Sequence, residues 1–387
     1  MKVKITLIGS RGIPAKYGGN ETFVEELSTR LYKLGFQVYV TCESNRFYVD
    51  KYNNIIRIHT PSIESKVSTV PVINDIISTL YLLAKEGLSI NIFYYIAPDG
   101  SIAAIFPKLL NKIVLINTDG LEWKRPIRRA IFWPIHLKIL SPLISLILWF
   151  LEFLSVKVSN IIIADSKEIK NYLEKRYKIN KVVYIPYGYR KLRKSYSTKI
   201  EENILNLIGV KSEDFYLTIA RIVAENNIHI EVKAFKKVKS TKKLLIVGNF
   251  DQKDSYTRYL INLKGDSKSI IFVNSIYDKE IVGVLRRNCF AYIHAYEVGG
   301  TNPSLLEQMQ FGKPILAYDV PFNREVLQEG GIYFKDDNDL ANKVEMLERG
   351  EYNLEFIKKI QIKRIKEQYN WDNITKQYQT LFNLLIG

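Results

Sequence analysis

Two glycine-containing loops of this 387-residue chain combine accessible backbone with small polar side chains, which suits phosphate and hydroxyl groups. The first loop includes Gly18, Gly19 and Asn20 and lies between a β-like run that ends at Gly9 and a helical pattern. Backbone N–H groups at a helix start attract anions, and glycine lets a ligand approach them closely. The loop therefore fits a diphosphate, although a tight strand-to-helix turn would produce the same glycines.

The second loop follows a β-like run at residues 291–295. Its small and polar residues are Gly299, Gly300, Thr301 and Asn302. Amides and small polar side chains beside a helix start suit a ligand that carries hydroxyl and anionic groups together. Neither loop has the spacing of a dinucleotide fingerprint, and no phosphate-binding Gly-Lys-Ser/Thr motif occurs.

The spacing of Thr22 to Glu25 and of Ser304 to Glu307 matches a capping box, in which two residues at a helix start bond each other's backbone. We therefore predict helices that start at Thr22 and Ser304. A carboxylate in the first turn of a helix is stabilising on its own, so a structural role competes with any ligand-binding role of Glu307.

Charged residues also follow a β-like run at residues 113–117. Asp119 and Glu122 are candidates for orienting a hydroxyl nucleophile, while Lys124 and Arg125 suit a phosphate group. Asp119 precedes a glycine, and Asp-Gly is a common turn, so a structural role stays open for it. His294, at the end of another β-like run, is either a hydrogen-bond partner of a ligand or a structural histidine.

Metal binding is not predicted. Asp337, Asn338 and Asp339 spell Asp-x-Asp, but they lie between a β-like run and a helix, where helix capping is the expected role. Cys42 and Cys289 are far apart in the chain and form no metal-binding or disulfide pattern, which suits a reducing compartment.

The elements that position these residues alternate between short β-rich runs and amphipathic helices. The predicted strands are residues 3–9, 38–42, 90–95, 113–117, 161–165, 182–185, 216–220, 244–248, 270–273, 291–295, 315–318 and 332–334. A basic, polar segment at residues 187–199 separates two such arrays. We therefore predict two α/β domains, residues 1–188 and 189–369, with ligands bound in a cleft at the carboxyl ends of the strands.

The composition, with 47% hydrophobic and 25% charged residues, is that of a globular protein and excludes a disordered chain. The formal net charge of +16 indicates an anionic partner: nucleic acid, an acidic membrane surface or a phosphorylated small molecule. The start of the sequence lacks the apolar core and cleavage site of a secretory signal, so we expect a cytoplasmic protein.

An uncharged run at residues 139–151 contains Trp149 and many aliphatic side chains. It is shorter than the roughly 20 apolar residues of a membrane-spanning helix, so we expect it not to cross a bilayer. Lys124, Arg125, Arg128 and Arg129 precede it, and basic residues beside an apolar helix are typical of a peripheral membrane contact. A buried helix next to a solvated basic loop is the alternative.

Longer strings of the sequence carry a family resemblance. They are GSRGIPAKYGGNETFVEEL, NTDGLEWKR, IADSKEI, YIPYGY, ARIVAENNIHIEVKAF and HAYEVGGTNPSLLEQM. These strings closely resemble bacterial rhamnosyltransferases of the GT4-type glycosyltransferase group, which act in cell-wall and capsular polysaccharide synthesis, and the resemblance spans nearly the whole chain. It implies a GT-B fold: two Rossmann-like domains face each other across a cleft, the first binding the acceptor and the second the donor. It also implies that residues 370–387 form a helix that returns to the first domain.

The residue patterns and the resemblance together give candidate donor-binding residues in both domains. They are Gly18, Gly19, Asn20, Arg221, Asn226, His294, Gly299, Gly300, Thr301, Asn302 and Glu307. Among them, Arg221 matches the basic residue that pairs with the donor diphosphate. GT4 enzymes commonly have a lysine a few residues later, where this chain has Glu225, Asn226 and Asn227. One expected positive charge is therefore missing.

The resemblance also implies two glutamates with seven residues between them, and this sequence departs from that pattern. Glu307 matches the second glutamate, which usually holds the nucleotide ribose, but Gly299 occupies the first position and Glu297 lies two residues too early. Glu297 or the amides of residues 299–302 would then hold the sugar. The candidate catalytic residues are Asp119, Glu122 and Glu297. In a retaining member of this group the departing diphosphate is thought to take the acceptor proton, so positioning and charge stabilisation carry most of the catalysis.

The resemblance therefore implies an enzyme that transfers L-rhamnose from dTDP-L-rhamnose to a saccharide on a lipid diphosphate, without a metal or other cofactor. We expect it at the inner face of the cell membrane, with acceptor or membrane contacts from Lys124, Arg125, Arg128, Arg129 and Trp149. Two alternatives stay open: a transferase for UDP-glucose or UDP-N-acetylglucosamine, and a non-enzymatic nucleic-acid-binding protein. Only the net charge favours a nucleic-acid-binding protein, and the glycine loops in both domains argue against it.

Overall fold

The computed structural model describes residues 2–15, 18–62, 71–118, 120–193 and 197–387. The chain divides into two compact units. The first unit comprises Met1–Trp123, Leu146–Gly188 and Gln368–Gly387, and the second comprises Lys124–Ser145 and Tyr189–Glu367. Each unit contains one sheet.

Strands and helices alternate through most of the described residues. The strands are β1 (Lys4–Ile8), β2 (Gln37–Ser44), β3 (Tyr48–Tyr52), β4 (Ile55–Pro61), β5 (Ile92–Tyr95), β6 (Ile113–Thr118), β7 (Ile161–Ala164), β8 (Val182–Tyr184), β9 (Phe215–Ile219), β10 (Lys243–Val247), β11 (Ile270–Val273), β12 (Ala291–His294), β13 (Ile315–Tyr318) and β14 (Ile332–Phe334). The helices are α1 (Gly19–Lys33), α2 (Pro71–Glu86), α3 (Ile105–Leu109), α4 (Arg125–Arg129), α5 (Ile135–Val158), α6 (Lys167–Tyr177), α7 (Thr198–Ile208), α8 (Ile228–Lys237), α9 (Ser255–Lys264), α10 (Lys279–Asn288), α11 (Pro303–Met309), α12 (Pro321–Leu327), α13 (Asp337–Glu348), α14 (Leu354–Glu367) and α15 (Trp371–Ile386).

Both sheets consist mainly of parallel strands, and their central strands are buried. In the first unit the order is β3-β4-β2-β1-β5-β6-β7-β8, and β3 alone runs antiparallel to its neighbour. In the second unit the order is β11-β10-β9-β12-β13-β14, with every neighbouring pair parallel. Strands buried on both faces read as continuous apolar runs, which is why β6 and β10 are recognisable from the sequence.

Strands β3 and β4 are missing from the sequence prediction. Charged side chains interrupt both of them, and β3 lies largely exposed at the edge of the sheet. Across this antiparallel pair, Arg57 donates from Nε to Asp50 at 2.8 Å and from Nη2 at 2.5 Å. An ion pair between these two side chains, rather than an apolar pattern of residues, links the two strands.

The predicted capping boxes are wrong at both helices. α1 begins at Gly19, with Gly18 at the N-cap, and the Glu25 carboxylate instead accepts from the amide of Ala15 and the hydroxyl of Tyr52. α11 begins at Pro303, and Asn302 caps it by accepting from the amide of Ser304 at 2.9 Å. Proline favours the first helical position and asparagine the N-cap, which moves the start of α11 ahead of Ser304.

The predicted domain division is wrong for one segment. Residues 124–145 cluster with the second unit, whereas the sequence analysis places them in the first. Phe132 packs against Tyr256 and Tyr259 of the second unit, with ring centroids 4.7 and 5.1 Å apart. The basic and aromatic residues that precede α5 are therefore bound to the second domain. The other transitions between the units lie at residues 188/189 and 367/368.

Helix α5 is longer than the uncharged run that predicts it. It extends over 24 residues and is long and apolar enough, by length and composition, to cross a membrane. The expectation that the segment is too short to span is therefore wrong. Its length was underestimated because Glu152, which ends the uncharged run, lies inside the helix and is buried. The Glu152 carboxylate accepts from the hydroxyls of Tyr172 at 3.0 Å and Tyr177 at 2.6 Å.

Candidate functional site

The order of strands in the second sheet contains a point where the chain changes direction. From β9 it proceeds to β10 and β11 on one side, and it then returns to β12 on the other side of β9. Open parallel sheets bind ligands at the carboxyl ends of the strands beside such a switch point. The loops after β9 and β12 are therefore where a ligand of this unit is expected.

Backbone and side-chain hydrogen bonds join these two loops. The amide of Glu297, after β12, donates to the carbonyl of Glu225, after β9, at 3.0 Å. The side-chain amide of Asn227 donates to the carbonyl of Ala295 at 3.1 Å. The loops thus form one platform over the switch point.

The platform positions Arg221, the predicted diphosphate-binding residue. Its side chain is exposed, while its carbonyl accepts a 2.8 Å hydrogen bond from the side-chain amide of Asn226. Asn226 is itself buried. The structure thus gives Asn226 a role in shaping the loop that presents Arg221, rather than a solvent-facing position.

Glu225, in the segment where a lysine was expected, is a buried carboxylate paired with Arg129. It is 1% exposed, and both of its oxygens accept from Nε of Arg129 at 3.1 Å, while Nη2 donates to Oε1 at 2.6 Å. Burial alone would raise the pKa of Glu225, but the hydrogen bonds and charge of Arg129, with a contribution from Arg125, lower it below its ordinary value. Both partners are therefore charged.

Glu297, the candidate catalytic and sugar-holding residue, is ion-paired with Arg128. Its other oxygen lies 3.5 Å from the side-chain amide of Asn227. Arg128 and Arg129 are predicted from the sequence to contact the acceptor or the membrane. The structure instead places both on glutamates of the second unit, because α4 belongs to that unit.

The first turn of α11 contacts a buried arginine that the sequence analysis does not identify. Arg286, on α10, is 1% exposed and donates to the carbonyl of Ser304 at 3.0 Å, to its hydroxyl at 2.8 Å and to Glu307 at 3.2 Å. Its guanidinium also lies 5.2 Å from the ring centre of Tyr292. Its position on the buried side of an amphipathic helix is the signal that would have found it. Arg286 fixes Glu307, the predicted ribose-binding carboxylate.

Gly299, Gly300, Thr301 and Asn302 form the loop that leads into α11. Gly299 has a φ of 154°, a backbone conformation that favours glycine. Thr301 is buried, and Asn302 uses its side-chain oxygen to cap α11. The predicted loop therefore lies at the switch point, and one of its polar side chains, Asn302, caps α11.

His294, at the end of β12, is completely buried and stacks on Tyr296, with ring centroids 4.3 Å apart. Burial, followed by the nearby charge of Arg286, lowers its pKa to about 3, so the ring is neutral at physiological pH. Neither ring nitrogen has a hydrogen-bond partner within the described residues.

In the first unit, the predicted site residues lie after β1 and β6. Gly18 is the N-cap of α1, and Gly19 and Asn20 are its first residues. Asp119 lies outside the described residues. Glu122 begins a short 3₁₀ turn, Glu122–Lys124, which α4 follows directly.

Trp149, a predicted membrane contact, packs partly against neighbouring side chains. It is half-buried, stacks on Phe153 at 6.3 Å between ring centroids, and lies 5.4 Å from the guanidinium of Arg176 on α6. The indole packs between α5 and α6, and the membrane contact at Trp149 stays a prediction. The exposed side of α5 carries aliphatic residues instead.

A small polar cavity in the first unit was not predicted. Its lining includes Ser10, Glu43, Asn74 and Asp75. Asp75 is buried, and this burial, followed by the charges of Asp99 and Glu43, raises its pKa well above the ordinary value. The acid is therefore protonated over a wider pH range than a solvated one.

The Asp-x-Asp residues have structural partners in the second unit. Asp337 and Asn338 bind the ammonium of Lys237, and Asp339 accepts from the amide of Lys335. The cap of α13 is Asp336, one residue before the predicted capping residues. Over the described ranges, no group of three or more His, Cys, Asp or Glu side chains is placed to hold a metal ion.

Two family models match the chain in succession. Residues 2–190 match a domain of unknown function, DUF1972, and residues 201–368 match the family described as Glycosyl transferases group 1. Among curated proteins, the uncharacterized glycosyltransferase MJ1069 of Methanocaldococcus jannaschii is 26% identical over 246 residues. The aligned region covers 60% of this chain and 60% of that relative, less than two thirds of its length.

Solved structures with the same fold cover nearly the entire chain. Sucrose-phosphate synthase from Thermosynechococcus elongatus matches with a TM-score of 0.79, at 19% identity over 99% of both chains. Anabaena HepE in complex with UDP and glucose matches with a TM-score of 0.69, at 14% identity over 98% of this chain and 99% of that one. The predicted fold class is confirmed: the chain has the two α/β domains with Rossmann-like parallel sheets of GT-B glycosyltransferases.

Proposed function

We propose that this chain, whose residues 201–368 match the family described as Glycosyl transferases group 1, transfers a sugar from a nucleotide-sugar donor to an acceptor hydroxyl. The platform at the switch point of the second sheet is the observation that carries the proposal. It presents exposed Arg221 beside the glycine loop that leads into α11. A guanidinium grips phosphate oxygens in pairs, and the amides of such a loop suit hydroxyl and anionic groups.

In the proposed reaction the acceptor oxygen bonds to the anomeric carbon while the bond from that carbon to the diphosphate breaks. The departing diphosphate takes the acceptor proton, so no side chain has to be the base. Arg221 stabilises the negative charge that develops on the leaving group, and Glu307, held by Arg286, binds the ribose. Glu122 and Asp119 orient the acceptor. Catalysis is then mainly positioning and electrostatic stabilisation.

The finer proposal is that the sugar is L-rhamnose, the donor dTDP-L-rhamnose and the acceptor a saccharide on a lipid diphosphate. Its support is the resemblance of the six sequence strings to bacterial rhamnosyltransferases. We propose further that neither a metal nor another cofactor takes part. UDP-glucose and UDP-N-acetylglucosamine are the alternative donors, since a few pocket contacts decide between sugars.

A thermal-shift panel tests the donor. We expect dTDP-L-rhamnose, at ten times its Kd, to stabilise the protein by about 1.4 kcal/mol, or roughly 3–5 °C in Tm, with EDTA present or absent. The R221A variant should bind about 10- to 150-fold more weakly, because a charge-assisted hydrogen bond contributes about 1.5–3 kcal/mol. R258A, which removes another exposed arginine of the same unit, is the matched control.

The outcomes of this panel separate the alternatives. Stabilisation by a UDP-sugar alone would retain the transferase and reject rhamnose. Stabilisation by oligonucleotides and by no nucleotide sugar would reject the transferase.

We also propose that the protein lies on an anionic membrane surface at the cytoplasmic side, held by α5. One side of this helix exposes a continuous row of aliphatic and aromatic side chains. The row consists of Ile135, Ile139, Leu140, Leu143, Leu146, Ile147 and Phe150. The opposite side is buried at Leu151, Ser155 and Val156. An interfacial helix exposes its apolar side to lipid while the rest packs on the protein.

Vesicle co-sedimentation tests the membrane proposal. I139Q/L143Q/I147Q should reduce binding to anionic vesicles about a hundredfold, because each half-exposed aliphatic side chain contributes about 1 kcal/mol when buried in lipid. L109Q/L207Q/L384Q removes three aliphatic residues that are at least as exposed but lie elsewhere, so it should bind as the wild type does. Equal binding by both folded triple variants would reject α5 as the contact.

A further inference from the structure

The short helix α4 brings positive charge to the platform of the second sheet from a distant part of the sequence. Arg129 is separated from Glu225 by 96 positions, and Arg128 from Glu297 by 169. Phe132, just after α4, packs among Tyr256, Tyr259 and His229. Three ring contacts of Phe132 and two ion pairs therefore hold this segment beside the carboxyl ends of β9 and β12.

Without α4, the platform would repel an anionic ligand. Glu225 and Glu297 follow the two strands at the switch point, and both carboxylates lie close to the loop that presents Arg221. Arg128 and Arg129 neutralise them, and Arg125 acts on Glu225 through space. Together, the guanidinium groups of these four arginines (Arg125, Arg128, Arg129 and Arg221) and the two carboxylates give the platform a net charge of +2. The diphosphate of a nucleotide sugar carries two negative charges.

The geometry of Arg129 leaves part of its guanidinium open to a ligand. Nε and Nη2 are used by Glu225, and Nη1 has no hydrogen-bond partner among residues that the structure describes. The side chain retains 34% exposure while that of Glu225 retains 2%. A buried carboxylate thus fixes the orientation of a partly exposed cation. This pre-organisation reduces the entropy that Arg129 would lose on binding a phosphate.

We propose that Arg129 is a donor-binding residue, which contacts the diphosphate of the nucleotide sugar, and that Glu225 is the residue that positions it. Arg128, held by Glu297, adds charge at the rim of the same site. The inference rests on the proposed function, since it concerns the site at which that function would place the donor. It assigns α4 to donor binding instead of to the acceptor or the membrane.

The decisive variant is the neutral pair R129Q/E225Q. It removes one positive and one negative charge, so the net charge of the platform is unchanged, and two amide side chains can still hydrogen-bond to each other. We expect its Kd for the nucleoside diphosphate to rise at least tenfold, because the guanidinium contact is lost. The Kd for the corresponding monophosphate should rise less. R129K should recover part of the affinity, since it restores charge without the planar fork.

The matched control is R287Q/E201Q, which neutralises a second arginine–glutamate pair of the same unit, between α10 and α7. Its Kd should stay within twofold of the wild-type value. The probe in these calorimetric titrations is whichever of dTDP and UDP stabilises the wild-type protein more. Circular dichroism of each variant verifies folding, and R129K supplies the comparison if the neutral pair lowers stability.

The results distinguish the inference from the function on which it rests. If wild-type protein binds neither dTDP nor UDP, the proposed function fails. If it binds one of them and R129Q/E225Q binds equally well, Arg129 is not a donor ligand and the inference alone is overturned. Tighter binding by the variant would also overturn it, since α4 would then only obstruct the site.

Discussion

Replacement of Arg286 by methionine should lower the free energy of unfolding of the second unit by about 3–5 kcal/mol. The guanidinium is 1% exposed and donates to Ser304 and Glu307. Methionine fills a similar volume but donates no hydrogen bond, so the carbonyl of Ser304 and the carboxylate of Glu307 lose this donor, while the hydroxyl of Ser304 retains its contact with Tyr292. The first turn of α11 depends on this arginine, and its loss should also weaken donor binding through Glu307.

Urea titration followed by circular dichroism measures this loss. Hydrogen exchange of peptides from α10 and α11 identifies which transition belongs to the second unit, because the two units can unfold separately. The control is R287M at the neighbouring position. Arg287 pairs with Glu201 nearer the surface, so we expect a loss of about 1 kcal/mol or less. Equal losses from the two variants would show that burial of Arg286 has no special energetic consequence.

The burial of strands explains which of them the sequence predicts. β6 and β10 each contain four consecutive aliphatic residues inside parallel sheets, and their limits are predicted to within one residue. β3 contains Asp50 and Lys51, and Asp50 forms an ion pair with Arg57 on the neighbouring strand β4. Local composition does not reveal such a pair, because it depends on which strand lies opposite.

The candidate site shows the same contrast between local and distant determinants. Arg221 and the loop at residues 299–302 follow strands directly, so topology alone places them at the carboxyl edge of the second sheet. Arg128 and Arg129 read as part of a basic, membrane-facing segment. Only the folded chain shows that they meet Glu225 and Glu297. Ion pairs between residues so far apart leave no pattern in the sequence.

Helix α5 shows how a charged residue can mislead an estimate of helix length. The uncharged run ends at Glu152, and a charge in an apolar helix normally indicates its limit. Here Tyr172 and Tyr177 satisfy the carboxylate, so the helix continues to Val158. Burial of Glu152 also anchors this half of α5 within the first unit.

Glu231 is a buried acid whose protonation should make the stability of the second unit depend on pH. It lies on α8 and is completely buried, and one oxygen accepts from the hydroxyl of Thr218 at 2.5 Å. Its other oxygen has no partner in the described part of the chain. Burial raises the pKa of Glu231 well above its ordinary value, and the hydrogen bond from Thr218 offsets only part of this effect.

E231Q should therefore be more stable than the wild type at pH 8, and the difference should shrink as the pH falls to 4. The unfolded chain releases the proton of Glu231 near pH 4.3, whereas the folded chain retains it to a higher pH. Between these two values the folded state binds more protons. The free energy of unfolding of the wild type thus falls as the pH rises, by at most about 1.4 kcal/mol per pH unit from this group. A glutamine at this position adds no such pH dependence to the free energy of unfolding. The contributions of the other titrating groups cancel when the two proteins are compared.

Urea midpoints of both proteins at pH 4, 6 and 8 give that difference. E202Q, at an exposed glutamate of α7, is the control and should stay within about 0.5 kcal/mol of the wild type. A difference that grows toward low pH would mean that Glu231 is ionised in the folded protein, stabilised by a charge that the described contacts do not include. A difference that grows toward high pH would instead show that Glu231 is neutral in the folded protein. The second unit would then hold a buried, protonated acid in its core, with one hydrogen bond from Thr218.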